Sequence, residues 1–358
     1  MVIWPAMRPL TQFALVGLAS CAFLYGQSTP APELPKDPRE LFSLAAPSYN
    51  FTDPSLKPWH LRATYQLYDE TGEPASTGTY EYWWASPTVY RSTWTRGDST
   101  HTDWHTSDGK HLYAATGHGL EFFEYRLESD ILTPLPEPAD YDPATTYFDR
   151  EVRSLGTTKL PCIMIVPKMP MHEQLSTIPL GMFPTYCFDP HLPVLVVKTS
   201  FGSLTVAYEH VARVQDRYLP RLVEEYEGQR KIATMTVDTI EKLNPDDPAL
   251  TPPPDAKNTS VATVGVASGV MAGHRIRGQN PVYPQDAKEA RAQGKVVLKA
   301  LIGRDGKIHD LKVISAPFPS LVESALWAVS QWEYKPYLLN GDPVDVATQI
   351  NVVYSLGN

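Results

Sequence analysis

Four of the ten histidines, His101, His105, His111 and His118, fall within one short stretch that also contains Asp103. Residues two and four apart share one face of a strand, so His101, Asp103 and His105 would lie together there. Imidazole and carboxylate groups are common metal ligands, but a zinc site also needs converging ligands held by outer hydrogen-bond partners. Nothing in the sequence fixes that geometry. Surface or hairpin histidines are therefore the preferred interpretation, and no metal is predicted.

Three cysteines offer thiol chemistry, and two of them, Cys162 and Cys187, lie beyond the N-terminal segment. A disulfide between these two is predicted for an oxidising compartment, with two buried free thiols as the alternative. A catalytic thiol is not predicted, because the histidines near them in the sequence are His172 and His191 alone.

The sequence contains neither the phosphate-binding pattern GxxxxGK[ST] nor the nucleophile pattern GxSxG. Serine, histidine and aspartate are frequent enough that arbitrary triads can be drawn, so no catalytic residue is assigned. We predict a protein that is not an enzyme and that needs no cofactor. Its net charge of −9 at pH 7 argues against nucleic acid as a partner.

The first 26 residues have the pattern of an export signal, with Arg8 before an apolar run over Phe13–Tyr25. Cleavage after Gly26 is the preferred interpretation and would place the protein in the periplasm or the cell envelope. Two alternatives stay open. The sequence LASC ending at Cys21 resembles a lipoprotein lipobox, which would put a lipid on that cysteine. An uncleaved segment would instead anchor the chain in the membrane, although it is short for a span.

Composition divides the remaining chain into segments. Proline is concentrated in two connecting stretches, whereas tyrosine, tryptophan and threonine dominate a long stretch between them. The predicted segments are a signal peptide at 1–26, a Pro-rich tether at 27–58, a β-rich domain at 59–243, a Pro-rich linker at 244–273 and a small C-terminal domain at 274–358. A short helix is expected over Pro38–Ala46, so that 27–58 is either a tether or an entry helix.

The β-rich segment contains aromatic runs such as Leu61–Tyr68, Thr77–Trp84 and Thr88–Thr95, which are separated by turn signals. Regular spacing of this kind predicts an antiparallel meander, as a curved sheet or an open barrel. Helix is expected within 121–129 and around Val152. With the C-terminal domain, the predicted fold class is α+β.

The C-terminal segment alternates helical and strand patterns around two turn signals, Asp305-Gly306 and Asn340-Gly341. The pattern predicts three antiparallel strands with two helices on one face. The elements are a helix over Gln285–Ala292, strands over Val296–Ile302 and Ile308–Ser315, an amphipathic helix over Leu321–Trp332 and a last strand over Val344–Tyr354.

The same segment resembles the TonB C-terminal domain. The matching features, in order, are NPVYP at Asn280–Pro284, DGKI at Asp305–Ile308, WEYKP at Trp332–Pro336 and GDPV at Gly341–Val344. The resemblance implies that the domain binds a short "TonB box" peptide of an outer-membrane receptor, or another envelope protein, as an added strand.

By position, the resemblance puts Asn280 and Tyr283 in the segment next to the bound peptide, and it makes the last strand the one that pairs. The implied partner-binding residues of that strand are Val344, Val346, Thr348, Ile350, Val352 and Tyr354. Aromatic side chains are more often core than contact residues, so Tyr283, Trp332 and Tyr334 are also expected to serve packing.

The aromatic meander resembles, in architecture alone, the lipoprotein carriers of the LolA/LppX type. That resemblance implies a lipid, another apolar ligand or a peptide in the concave face of the sheet. The alternative is a closed β domain in which the aromatic side chains fill the core.

These features favour an exported envelope protein whose C-terminal domain captures a peptide by strand addition, in connection with TonB-dependent transport. One alternative is a membrane-anchored energy transducer, but the linker is short for TonB and the N-terminal apolar run lacks the histidine that TonB proteins typically carry. The other alternative is a periplasmic lipid or lipoprotein carrier with a docking module.

Overall fold

The computed structural model describes residues 33–117, 122–168, 182–200, 204–258, 263–339 and 342–356. The predicted signal peptide with Cys21, and also His118 and His172, lie outside the described residues. None of the helices in the described ranges is long and apolar enough to span a membrane.

The described chain forms many strands and few helices. The strands are β1 Trp59–Tyr68, β2 Pro74–Ser86, β3 Val89–Arg96, β4 Ser99–His105, β5 His111–Thr116, β6 Thr146–Leu155, β7 Thr158–Pro167, β8 Thr185–Phe188, β9 Leu195–Ser200, β10 Leu204–Glu209, β11 Ala212–Val214, β12 Arg217–Leu219, β13 Leu222–Glu227, β14 Arg230–Lys242, β15 Lys257–Asn258, β16 Thr263–Gly265, β17 Arg275–Arg277, β18 Gly294–Ile302, β19 Ile308–Ser315, β20 Glu333–Tyr334, β21 Leu338–Leu339, β22 Asp342–Pro343 and β23 Asp345–Tyr354. The helices are α1 Pro38–Ala45, α2 Phe122–Leu132, α3 Ser268–Ala272, α4 Gln285–Glu289 and α5 Pro319–Ser330.

Residues 33–258, here called the N-terminal β region, are organised around one sheet of 13 strands in the order β15-β5-β4-β3-β2-β1-β14-β13-β10-β9-β8-β7-β6. Its neighbouring strands pair antiparallel, as the aromatic meander predicts. The sheet stays open over the described residues, because β15 and β6 form separate edges. The predicted helix within 121–129 is present as α2, but Val152 lies in β6, where pairing with β7 holds the chain extended.

Tight turns connect the strands where the sequence places glycine. Gly97 between β3 and β4 and Gly109 between β4 and β5 have φ angles of 60° and 77°. A side chain with a Cβ rarely adopts this region, so glycine allows the chain to reverse within a few residues. The turns keep β3, β4 and β5 in direct antiparallel register.

The stretch predicted as a Pro-rich tether is packed against the large sheet over the part that the structure describes. Asp37 caps α1 by accepting a hydrogen bond from the backbone N–H of Glu40 at 2.8 Å. One face of α1 then buries Leu41 and Phe42, and Phe42 meets the ring of Tyr186 edge-on at 5.2 Å. The helix expected over Pro38–Ala46 is thus present as α1, and apolar side chains between the prolines join the core.

Residues 263–356, here called the C-terminal module, form a sheet in the order β16-β23-β18-β19. The predicted strands and helices appear as β18, β19, β23, α4 and α5, and the core lies between this sheet and α5. The fourth strand, β16, comes from the predicted linker and pairs parallel with β23. Its three residues, Thr-Val-Gly, are too few to show a strand pattern, so the sequence predicts only three strands.

Strand β7 is buried on both faces and joins the two parts of the molecule. Ile163 and Ile165 belong to the core of the N-terminal β region, whereas Met164 and Val166 belong to the apolar cluster of the C-terminal module. Phe183 joins them in that second cluster. A strand with two buried faces reads as a continuous apolar run, which is what PCIMIVP shows.

Cys162 and Cys187 are directly opposite each other on β7 and β8 and form a disulfide. Both are fully buried. The predicted disulfide is therefore present, and it closes a loop with a sequence separation of 25.

Candidate functional site

Strand β23 turns one row of side chains into the core of the module. The row comprises the strand residues predicted to bind a partner, and each of them is less than a tenth exposed: Val346, Thr348, Ile350, Val352 and Tyr354, together with Val344 just before the strand. These side chains are therefore little accessible to a partner in this structure. Any strand addition at β23 must therefore use backbone groups.

The backbone of β23 faces two neighbours in alternation. Ala347 accepts a hydrogen bond from the backbone N–H of Val266 at 3.0 Å, so its carbonyl points away from β18. Backbone groups alternate in direction along a strand, so those of Gln349, Asn351 and Val353 point the same way. We call this side of β23, over Asp345–Val353, the partner edge.

Residues 263–272, here called the cap segment, lie along the partner edge. Its first part, β16, pairs parallel with 345–347. The side-chain hydroxyl of Thr348 donates to the carbonyl of Val266 at 2.7 Å, and the amide of Asn351 donates to the hydroxyl of Ser268 at 3.4 Å. Helix α3 follows and buries Met271 in the core of the module.

The other predicted contact residues have structural roles. The hydroxyl of Tyr283 donates to the carbonyl of Ala292 at 2.5 Å, and its ring packs edge-on against Tyr354 with centroids 5.4 Å apart. Trp332 donates its indole N–H to the carbonyl of Gln279 at 2.8 Å. Asn280 is exposed and accepts a hydrogen bond from Arg275 at 3.5 Å. Asn280 is thus exposed, whereas Tyr283 and Trp332 are half-buried.

The second candidate site, the face of the large sheet that α1 and α2 cover, is filled by the protein's own side chains. Trp59 stacks on Tyr82 with centroids 5.3 Å apart, and Tyr82 stacks on Tyr90 at 5.7 Å. Trp59, Tyr82 and Leu127 of α2 are buried in one cluster. Over the described residues, aromatic side chains thus form a core, as in the alternative, but the sheet is open rather than closed.

Helix α2 brings charged groups into this core. The hydroxyl of Tyr80 donates to a carboxylate oxygen of Glu128 at 2.9 Å. Burial, reinforced by the charge of Asp103, raises the pKa of Glu128 from 4.5 to about 7, against the opposing effect of the Tyr80 hydrogen bond. Glu128 therefore keeps its proton up to a higher pH than an ordinary carboxyl group does.

Two ion pairs fix the same helix to the opposite half of the sheet. Arg126 donates from Nε to an oxygen of Glu225 at 2.8 Å and contacts the other oxygen of that carboxylate as well. Asp130 accepts from the ammonium group of Lys198 and, at 3.2 Å, from the hydroxyl of Tyr208. Glu225 and Asp130 are fully buried, so these partners compensate two otherwise costly charges.

The clustered histidines find partners other than a metal. His101 Nε2 lies 2.8 Å from a carboxylate oxygen of Asp103, on the shared face that the spacing predicts. His105 stacks on Tyr90 and meets the ring of His111, and burial together with the charge of His105 lowers the pKa of His111. Among the residues that the structure describes, no three histidine, cysteine or acidic side chains converge as metal ligands.

The cap segment is the part of the site that the sequence does not reveal. Its residues are small or flexible, TVGVASGVMA, and they match neither the alternation of a strand nor the length of a typical helix. The one indication of a strand in the sequence of this segment is that two apolar residues, Val264 and Val266, are separated by a single glycine.

Comparisons with known proteins address both parts of the chain. Residues 279–356 match the family model described as Gram-negative bacterial TonB protein C-terminal, which confirms the resemblance predicted from the sequence. The search of curated proteins finds no match to this chain.

Solved structures similar to this chain include three relatives of low identity. They are an outer membrane lipoprotein-sorting protein domain from Vibrio parahaemolyticus (6% identity, 54% of this chain, 88% of that chain, TM-score 0.32), a LolA superfamily protein from Nitrosomonas europaea (7%, 59%, 96%, 0.33) and a DUF1329 family protein from Desulfovibrio piger (7%, 60%, 100%, 0.36). The predicted architectural resemblance to LolA proteins thus reappears among them, but TM-scores this low carry no argument about a ligand.

Proposed function

Because residues 279–356 match the C-terminal domain of Gram-negative TonB proteins, we propose that this chain is a cell-envelope protein whose C-terminal module binds an extended peptide by strand addition at the partner edge. The peptide would come from an outer-membrane TonB-dependent receptor or another envelope protein. The N-terminal β region would carry the module and hold it in place through the apolar contact at β7.

One observation supports the proposal above the others. The partner edge already accepts a short strand of this same chain, with β16 in parallel register on 345–347 and a 3.0 Å bond from Val266 to Ala347. The backbone there is thus straight and accessible enough for a strand to add. The buried side-chain row of β23 leaves backbone pairing as the means of recognition.

Two alternatives stay predictions. An anchored energy transducer depends on residues 1–32, which lie outside the described part of the chain. A lipid or lipoprotein carrier would need space on the concave face, and the described part of that face is occupied by aromatic side chains and by α2.

Proline substitution at the partner edge tests the proposal. Gln349→Pro removes a backbone N–H that points to the edge, where proline is tolerated within a strand. We expect a fluorescein-labelled TonB-box peptide to bind this variant at least about tenfold more weakly than Gln349→Ala, measured by fluorescence anisotropy. Ile350→Pro is the contrasting change, because its N–H faces β18 and its loss should unfold the module.

Thermal unfolding establishes first that Gln349→Pro and Gln349→Ala keep the folded module. Equal peptide affinity in these two folded variants would rule out strand addition at this edge. A peptide that binds neither variant nor the unaltered chain would contradict the proposed function as a whole.

A further inference from the structure

The cap segment occupies the surface to which the proposed function assigns the partner. Its strand covers 345–347, and the contacts of Thr348 and Asn351 carry it along the edge as far as Ser268. A peptide that adds along the whole of the partner edge must therefore replace β16. Within the described residues, the backbone groups of β23 beyond Ala347 do not pair with β16, which we call the cap strand.

Few contacts hold the cap strand against β23. It pairs over three residues, in a parallel arrangement that is slightly weaker per residue than an antiparallel one. Gly265 is exposed, and a Cβ at this position would meet nothing within 4 Å. Val264 and Val266 are half-buried, so little apolar area holds this part in place.

The chain on each side of the cap strand has further contacts of its own. On the C-terminal side, Met271 is 1% exposed and packs in the core of the module. On the N-terminal side, β15 pairs with Leu112 and Tyr113 of β5, and the carbonyl of Ala249 accepts the indole N–H of Trp104 at 3.0 Å. A strand released between these two anchors stays close to the edge it left, at a high effective concentration.

We propose that residues 263–268 are a built-in competitor for the partner edge, which a partner strand displaces and which returns when the partner leaves. This inference rests on the proposed function and adds its regulation. An added strand can bind only while the edge is uncovered. Its apparent association constant is therefore the intrinsic one multiplied by the fraction of molecules in which the edge is uncovered. It also keeps the edge from pairing with unrelated strands, the hazard that an open edge carries.

A disulfide lock tests the displacement in the full-length chain. Gly265 and Ala347 are register partners, so Gly265→Cys with Ala347→Cys ties the cap to β23 on oxidation. Lys299→Cys with Lys312→Cys is the matched control, because this pair of register partners joins β18 to β19, away from the edge. The probe is a fluorescein-labelled peptide with the sequence of residues 260–267.

A second pair of variants releases the cap. Val266→Pro removes the N–H that binds Ala347, whereas Val266→Ala keeps it. We expect Val266→Pro to bind the probe about tenfold more tightly than Val266→Ala. Oxidation should abolish binding in the Gly265/Ala347 lock and leave the Lys299/Lys312 control unchanged.

Equal affinities in the oxidised lock, its control and both Val266 variants would overturn the competitor. The proposed function is judged separately with a TonB-box peptide. If the probe binds Val266→Pro but the TonB-box peptide does not, the competitor stands and the proposed function fails. If the TonB-box peptide binds the oxidised lock as well as its control, the proposed function stands and the competitor fails.

Discussion

The N-terminal β region and the C-terminal module cover their vulnerable surfaces in opposite ways. The face of the large sheet that α1 and α2 cover is filled by these helices, with whole side chains buried and charges paired. The partner edge of the module is covered by the cap strand, which contributes three residues and little apolar area. A filled face is part of the core and is costly to open, whereas a lightly covered edge can exchange one strand for another. We therefore expect substitutions in the aromatic rows to change stability, and substitutions along the backbone of β23 to change the proposed binding.

The largest expected effect comes from breaking a charge pair in the filled face. Arg126→Met leaves Glu225 buried without its counter-ion, and we expect a loss of about 3–5 kcal/mol in the free energy of unfolding. Arg126→Met with Glu225→Met should recover most of that loss, since neither member of this buried pair is charged any longer. Urea unfolding measures both. If Arg126→Met lost little free energy of unfolding, the ion pair would not stabilise α2 on the sheet, and the contrast with the cap strand would fail.

Removal of the disulfide is the next largest change. Cys162→Ala with Cys187→Ala opens a loop with a sequence separation of 25, and we expect a loss of about 3 kcal/mol. Reduction of the unaltered protein should give a similar loss in urea unfolding. An unchanged midpoint would mean that β7 and β8 are held by their packing alone.

Titration of Glu128 gives a smaller, pH-dependent effect. Its pKa is about 7 in the folded protein, against 4.5 as the ordinary value, so between these values the folded state holds a proton that the unfolded state releases. The stabilisation is complete below pH 4.5 and is lost as the pH rises through 7.

Glu128→Gln should remove this dependence. We expect the variant to be more stable than the unaltered protein at pH 8, by a margin on the order of 2 kcal/mol, and by a much smaller margin at pH 5. Thermal unfolding at the two pH values measures the difference. If the stability of both proteins changed with pH in the same way, Glu128 would have to be in contact with water. The contrast between the filled face of the large sheet and the covered partner edge would then be weaker.

The smallest effect concerns the cap strand itself. Gly265→Val adds a side chain that favours strands at a position with free space, and we expect the module to gain about 0.5 kcal/mol. The affinity for an added peptide should fall about twofold to threefold, because the cap competes better. Gly269→Ala, in α3, is the control. Tighter peptide binding by Gly265→Val would mean that the partner adds onto β16 rather than replacing it.

Much of the fold is predictable from local pattern. The alternation in β18, β19 and β23 and the turn at Asp305-Gly306 predict the module, because each strand turns one row of side chains to the same core. The positions of Gly97 and Gly109 predict two hairpins of the large sheet for a similarly local reason. The pairing of Cys162 with Cys187 follows from their number and the expected compartment.

The parts that escape prediction depend on contacts far apart in the chain. Phe42 lies in a proline-rich stretch, and only its meeting with Tyr186 makes that stretch part of the core. Val152 has polar neighbours that suit a helix, yet β7 holds it extended. Thr263–Gly265 becomes a strand only because 345–347 offers a template. The direction of the Ala347 carbonyl, which defines the partner edge, has no counterpart in the sequence.

The two-residue pairing of β15 has a mechanical consequence. A pull on the module along the chain reaches the large sheet first at Lys257 and Asn258, which are joined to β5 at two positions only. Such a short pairing opens before the long pairs of β1 with β2 and β14 are loaded. Once it opens, the 12 residues from Thr251 to Ala262 can span at most about 40 Å. If the apolar contact at β7 is broken as well, the module can move away from the large sheet on this length of chain without unfolding either part.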